Sequence, residues 1–257
     1  MENHSPETSS KKLHSSLVSR RFLQPEEVER MFALMRENYE GVSEATFQDD
    51  LSRKQLVLIF RDAQEVIQGF TTLAINPAGC GVQDYSIIFS GDTLISPAHW
   101  GTQEMLRGWC RALGSIVAGQ PDKAWYWYLI SKGHRTYMYL PLFLKEYHPS
   151  AIGNPPVRLL EILDDCSRRM FGDCWHPEEG LIRFPDPAGA LKPELAEATF
   201  LKKHKPDVRF FLEKNPEFYK GHELACLASL APDNIHARCL PLIREGMATP
   251  LAVHELD

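Results

Sequence analysis

The sequence has no long apolar run. Its most hydrophobic uninterrupted stretches, Leu56 to Phe60 and Ala124 to Ile130, fall far short of the roughly 20 residues a membrane-spanning helix needs. No spanning helix is expected. No apolar segment follows Lys11 and Lys12, so a secretory signal is not expected either, and a cytoplasmic location is. There is no C-x-x-C pair. The six cysteines (Cys80, Cys110, Cys166, Cys174, Cys226, Cys239) are scattered, which in a reducing compartment reads as small buried hydrophobes. Positive charge is in deficit: 34 acidic against 28 basic residues give a formal charge of −6. That removes the global electrostatic case for a nucleic-acid partner and leaves only local basic patches. No internal repeat is visible.

What is present is enough apolar material in 257 residues to build a full core. Residues 1–24, rich in Ser, Lys, His and Glu, read as a flexible tail. From Pro25, the spacing of Val28, Met31, Phe32, Met35 and Tyr39 predicts an amphipathic helix. Ser43 opens a second, shorter one. Leu56 to Phe60 and Val66 to Leu73 predict a strand hairpin, and Tyr85 to Ile95 a third strand, with Gly91 marking a bulge or a close backbone approach. A helix through Met105, Trp109 and Leu113 leads to a fourth strand at Ala124 to Ile130. After Gly133 a helical segment follows, kinked or started by Pro141. This order predicts an α/β domain over 25–150 with a mixed, mainly antiparallel sheet flanked by helices. Beyond it, 151–257 is expected to be a mostly helical extension packed on that domain.

The stretch Asp92-Thr93-Leu94-Ile95-Ser96-Pro97-Ala98-His99-Trp100-Gly101-Thr102-Gln103-Glu104-Met105-Leu106, with this element order, resembles the centre of the GCN5-related N-acetyltransferase (GNAT) superfamily. There a bulged strand ending in a Val/Ile-x-Pro pattern runs through a glycine-containing turn into a helix. The resemblance covers roughly 25–150. It implies that the turn, with Ile95, His99, Trp100, Gly101, Thr102 and Gln103, binds the pyrophosphate of an acyl-CoA, because amides at a helix N-terminus face the anion and glycine lets it approach. It also implies a bulge that splays this strand from the fourth one, with backbone N–H groups polarising the acyl carbonyl. On the helix after the fourth strand it implies a tyrosine that protonates the departing thiolate. Tyr137 and Tyr139 lie on different helix faces, so at most one reaches the site. Asp92, beside the bulge, is the candidate base for an attacking ammonium.

The implied activity is transfer of an acyl group from a thioester, on CoA or on an acyl-carrier protein, to an amine acceptor, with no metal. Gly101 alone stands for the family's Arg/Gln-x-x-Gly-x-Gly/Ala turn; this reduction brings a carrier-protein or long-acyl donor into consideration beside CoA and weighs toward a non-catalytic alternative. The basic group Lys132, His134 and Arg135 would face a phosphopantetheine phosphate or an acidic carrier protein at this end of the sheet, or simply solvent. The alternative function is a non-catalytic binding or assembly protein that keeps this frame. In that case Trp100 or the C-terminal extension would plug the slot between the third and fourth strands. Cys166, Cys174 and His176, and His222, Cys226, His236 and Cys239, with an i, i+4 pair on an expected helix, match no zinc-finger spacing. The aromatic run Trp125 to Tyr128 lacks interleaved cations and reads as sheet core or acyl-pocket wall rather than a base-stacking platform.

Overall fold

The computed structural model describes residues 12–82, 84–185 and 189–251. In chain order the elements are β1 His14–Ser19, α1 Pro25–Asn38, β2 Tyr39–Glu40, α2 Glu44–Ser52, β3 Leu56–Arg61, β4 Ile67–Ile75, β5 Tyr85–Ile95, α3 Glu104–Ala118 and β6 Ala124–Ser131. There follow α4 His134–Tyr137, α5 Tyr139–Phe143, α6 Val157–Phe171, β7 Trp175–His176, β8 Leu181–Ile182, β9 Ala190–Leu191, α7 Pro193–Phe200, α8 Pro206–Lys214, β10 Glu223–Ser229 and α9 Leu240–Met247. Among the described residues, eight strands form one sheet in the order β1-β3-β4-β5-β6-β10-β8-β7. Every neighbouring pair is antiparallel except β5 and β6. That exception follows from α3, the crossover a parallel pair requires.

Alternation along the central strands builds a core on each face of the sheet. Leu58 and Phe60 pack with Trp109 and Leu113 of α3 and Ile243 of α9, whereas Val57 and Ile59 pack with Met31 and Leu34 of α1 and Phe47 of α2. On that second face, Ile87, Phe89 and Tyr128 meet Ile162 and Leu163 of α6. Local chemistry starts the helices where the sequence places them. Glu27 accepts from the Gln24 amide at 2.9 Å ahead of α1, and the Ser43 hydroxyl accepts from the Thr46 amide at 3.1 Å ahead of α2. The helical segment after Gly133 is broken into two short pieces that meet at Met138, with Pro141 inside the second.

Three expectations are corrected. Of the tail expected over 1–24, residues 1–11 lie outside the described residues, and His14–Ser19 pair along their length with β3. An edge strand is held through its backbone, so HSSLVS carries little apolar period to announce it. The stretch beyond 150 is also more than a helical cover, because β10 pairs with β6 from Leu224↔Ser131 to Ser229↔Tyr126. Finally, Cys226 lies in that strand, so it and His222 do not form an i, i+4 pair on a helix. The extension is further fixed by α9. A Cβ on Gly114 of α3 would lie 2.0 Å from the Ile243 carbonyl oxygen, and one on Gly246 would lie 2.0 Å from that of Arg111. The two helices therefore touch through bare backbone, and the Ser115 hydroxyl donates to the Gly246 carbonyl at 3.0 Å.

Candidate active site

The site begins with a register change. Thr71 pairs with Thr93 but Leu73 pairs with Ser90, so Gly91 and Asp92 together face Thr72 and the strand bulges. On its other edge β5 pairs with β6 only as far as Ser90↔Leu129; past the bulge the two strands part. The Ser96 amide donates to Gln68 at 2.7 Å, which makes Leu94 and Phe70 the next hydrogen-bonded pair. Thr93 and Ile95 then direct their N–H and C=O groups away from β4, into the opened side. Gly91 is required here, since a Cβ would lie 2.8 Å from Thr72 Oγ1 and 2.9 Å from Lys54 Cε.

A cavity of about 740 Å³ lies at the end of the opening, walled by Thr93, Leu94 and Ile95 of β5 and by Gly133, His134 and Arg135, which follow β6. Its wall carries Arg107, Arg135, Lys202, Lys205 and Arg238, and no aspartate or glutamate among the described residues. All six residues expected to hold the donor, Ile95, His99, Trp100, Gly101, Thr102 and Gln103, line it. His99 is 8% exposed, and its Nδ1 is itself covered, with no hydrogen-bond partner among the described residues. Gly101 has φ +86°, and nothing lies within 4 Å of where its Cβ would be. A ligand can therefore approach that backbone unobstructed. Trp100 Nε1 donates to the Ile95 carbonyl at 2.9 Å, and the Arg135 guanidinium carbon lies 3.5 Å from the centre of its ring. The slot is thus neither empty of side chains nor filled. Trp100 forms part of the wall, as do Leu191, Leu195, Thr199 and Lys202 from the C-terminal stretch.

The two tyrosines are separated as their helix positions require. Tyr139 lines the cavity, and burial pushes its hydroxyl up to about 12 while Arg135 pulls the other way. Tyr137 points into the core instead. It is fully buried against Tyr147, Phe210 and Phe211, and its hydroxyl donates to the Pro149 carbonyl at 2.9 Å. Burial raises its pKa as well. Tyr137 is therefore placed away from the opening, with its proton already committed.

Asp92 is at the bulge but not in the cavity wall. It belongs to a half-buried charged group beside it. Lys54 Nζ contacts Asp50 at 2.6 Å, Lys132 Nζ contacts Glu223 at 3.3 Å, and Lys132 lies over the ring of Tyr39 at 5.5 Å. Burial raises the Asp92 carboxyl to about 6; Asp50 adds to this, while Lys54 and Lys132 oppose it. Burial also raises Glu223. Tyr39 joins the two regions, because it lines the cavity and feels the charges of Asp92 and Glu223.

Of the basic group after β6, Arg135 and His134 line the cavity whereas Lys132 serves the charged group. His134 Nδ1 lies 2.8 Å from Thr199 Oγ1, and burial first, then Arg135, Lys202 and Lys205, lower its pKa to about 4. Among the described residues no group of three or more His, Cys, Asp or Glu side chains is arranged to hold a metal ion. No helix among them is long and apolar enough to cross a membrane.

No family model matches the chain, and no curated protein does. Solved structures do. The chain is similar to three of them in the following measure. One is YhbS of Escherichia coli, a GNAT family N-acetyltransferase solved in complex with CoA, at 16% identity and TM-score 0.37 over 50% of this chain and 68% of that one. Another is ElaA of Escherichia coli, at 14% identity and TM-score 0.38 over 56% and 93%. A third is a conserved Enterococcus faecalis protein of unknown function, a probable N-acyltransferase, at 16% identity and TM-score 0.35 over 52% of this chain and 33% of that one.

The GNAT-like resemblance read from the sequence covered 25–150, so it did not reach Lys202, Lys205, Arg238 and Thr199, which close the cavity from the other side. The signal for the first two was visible as Lys202-Lys203-His204-Lys205, four basic residues with no acid between them.

Proposed function

We propose that the protein is an acyltransferase that moves an acyl group from a phosphopantetheine thioester, on CoA or on an acyl-carrier protein, to an amine. The observation that carries this reading is the cavity at the parting of β5 and β6. It is lined by five Arg and Lys side chains and, among the described residues, by no aspartate or glutamate. Such a wall suits phosphate groups. The outward-facing N–H groups of Thr93 and Ile95 suit a thioester carbonyl as it becomes an oxyanion.

In this reading the acceptor amine adds to the thioester carbon, so that a C–N bond forms and the C–S bond breaks. Tyr139, protonated throughout the physiological range, gives its proton to the departing sulfur and is restored by the second proton the nitrogen sheds as the amide forms. The first proton, lost by the acceptor ammonium before attack, is drawn off toward Asp92, which lies outside the cavity wall and is reached through Tyr39, the residue that lines the cavity and feels its charge. The raised pKa of Asp92, about 6, suits a base near neutrality. The reaction needs the two substrates held together first, because a thioester is already activated toward amines.

The experiment is a thiol-release assay with acyl-CoA and acyl-carrier-protein donors of several chain lengths against a panel of amines. Release that depends on both donor and amine supports transfer. A second reading, a non-catalytic binder, is favoured by the Trp100–Arg135 stack in the slot. It would be upheld if a thioester bound stoichiometrically while no amine released thiol.

A further inference from the structure

We infer that the thioester reaches this cavity on an acidic carrier protein, which docks on the turn between α7 and α8. The inference rests on the acyl-transfer reading above and names its donor. The turn reads Phe200-Leu201-Lys202-Lys203-His204-Lys205. Lys202 and Lys205 line the cavity, but Lys203, His204 and Leu201 do not. Leu201 is 79% exposed and Phe200 44%, and Lys203 and His204 are exposed beside them.

A small ligand filling the cavity would leave these outer groups unused. An apolar pair framed by cations is instead what an acidic helix with apolar contacts covers, with the charges steering the encounter and the apolar pair adding contact area. The patch also runs against the character of the chain, whose formal charge is −6. Its potential is therefore local and sits at the cavity mouth. Lys202 is already disfavoured as a cation, by burial first and then by Arg135 and Lys205. An incoming anionic partner would relieve that crowding. A lipid surface fits less well, because α7 has only eight residues and membrane-surface binding draws on a larger continuous apolar face.

The test uses the full chain and one acyl group on three carriers: pantetheine, CoA and a small acidic carrier protein. Transfer is followed by thiol release and docking by anisotropy of the labelled carrier protein. We expect kcat/KM for the carrier-protein donor to exceed that for the CoA donor at least tenfold and to fall steeply with salt. Lys203→Glu and Leu201→Ala should each weaken carrier-protein docking severalfold, and together about tenfold, while leaving pantetheine and CoA kinetics and the melting temperature unchanged. Equal use of CoA and carrier protein, or docking indifferent to both variants, overturns the proposal. So does binding to phosphatidylglycerol vesicles, but not to the carrier protein, that Lys203→Glu abolishes. Docking that responds to the variants without thiol release from any donor would uphold the surface and sink the acyl-transfer reading instead.

Discussion

The guanidinium carbon of Arg135 lies over the indole of Trp100, 3.5 Å from the ring centre. The same indole donates to the carbonyl of Ile95 at 2.9 Å. One aromatic side chain therefore ties the end of β5 to the segment that leaves β6 and holds a cation in the cavity wall. A stacked cation of this kind is worth roughly 0.5–2 kcal/mol. Trp100→Ala should release Arg135 and raise the donor KM about threefold to tenfold with kcat little changed, and Trp100→Phe should recover part of the loss. Steady-state kinetics on the two variants checks this. An unchanged KM in Trp100→Ala would mean that the stack plays no part in donor binding.

The tyrosines give a matched pair. Tyr139→Phe should lower kcat by about 10²-fold with donor binding intact, as loss of a general acid does. Tyr137→Phe should leave kcat alone and cost about 1 kcal/mol of stability, through the lost hydrogen bond to Pro149. Kinetics and thermal melts on both variants read the two effects separately.

Two buried groups act on stability in opposite senses as pH falls. His134, lowered to about 4, is held neutral in the fold, while in the unfolded chain it takes a proton near 6.5. Its contribution is therefore lost between about pH 6.5 and 4. Asp92, raised to about 6 from 3.8, is held protonated in the fold over that window, so its contribution is gained on acidification and lost as pH rises through 6. The two largely cancel. Asp92→Asn should remove one side of the balance, making the variant more stable than the parent by about 1–3 kcal/mol at pH 7.5 and by almost nothing near pH 4. Melting curves across pH 4–8 would detect it. A constant difference would mean that Asp92 does not titrate with a raised pKa.

The contact of α3 with α9 makes a mutational prediction far from the cavity. Because a Cβ at Gly114 or Gly246 would lie 2.0 Å from a backbone oxygen, no side-chain adjustment can accommodate it. Gly114→Ala and Gly246→Ala should each destabilise by about 2–4 kcal/mol. Denaturant titration should show this, with Gly108→Ala, which would meet side-chain atoms of Ser15 on the edge strand β1 rather than a backbone oxygen, costing less.

The sequence made legible those parts in which period and punctuation agree. Gly91 announced the bulge because it interrupts an otherwise apolar strand, and Pro97 and Gly101 announced the turn into α3. β10 was hidden, because Glu223 to Ser229 is apolar through its middle and a short apolar run has no period to separate strand from helix. The choice between Tyr137 and Tyr139 was likewise open, since helix geometry says only that they diverge. The core formed by Phe210 and Phe211, far along the chain, decides which one is buried. The cationic far wall was missed for the same reason: Lys202, Lys205 and Arg238 meet Arg107 and Arg135 only after the C-terminal stretch has folded back.

Acyl transfer as proposed requires that the cationic cavity at the end of β5 hold a phosphopantetheine thioester. The most direct measurement is calorimetric titration with an acyl-phosphopantetheine thioether, the part common to both donors and unable to react. A single site is expected, at least tenfold weaker in Arg135→Ala/Lys205→Ala and weakened by salt. Absence of binding to the folded protein, or affinity unchanged in that double variant, would contradict it.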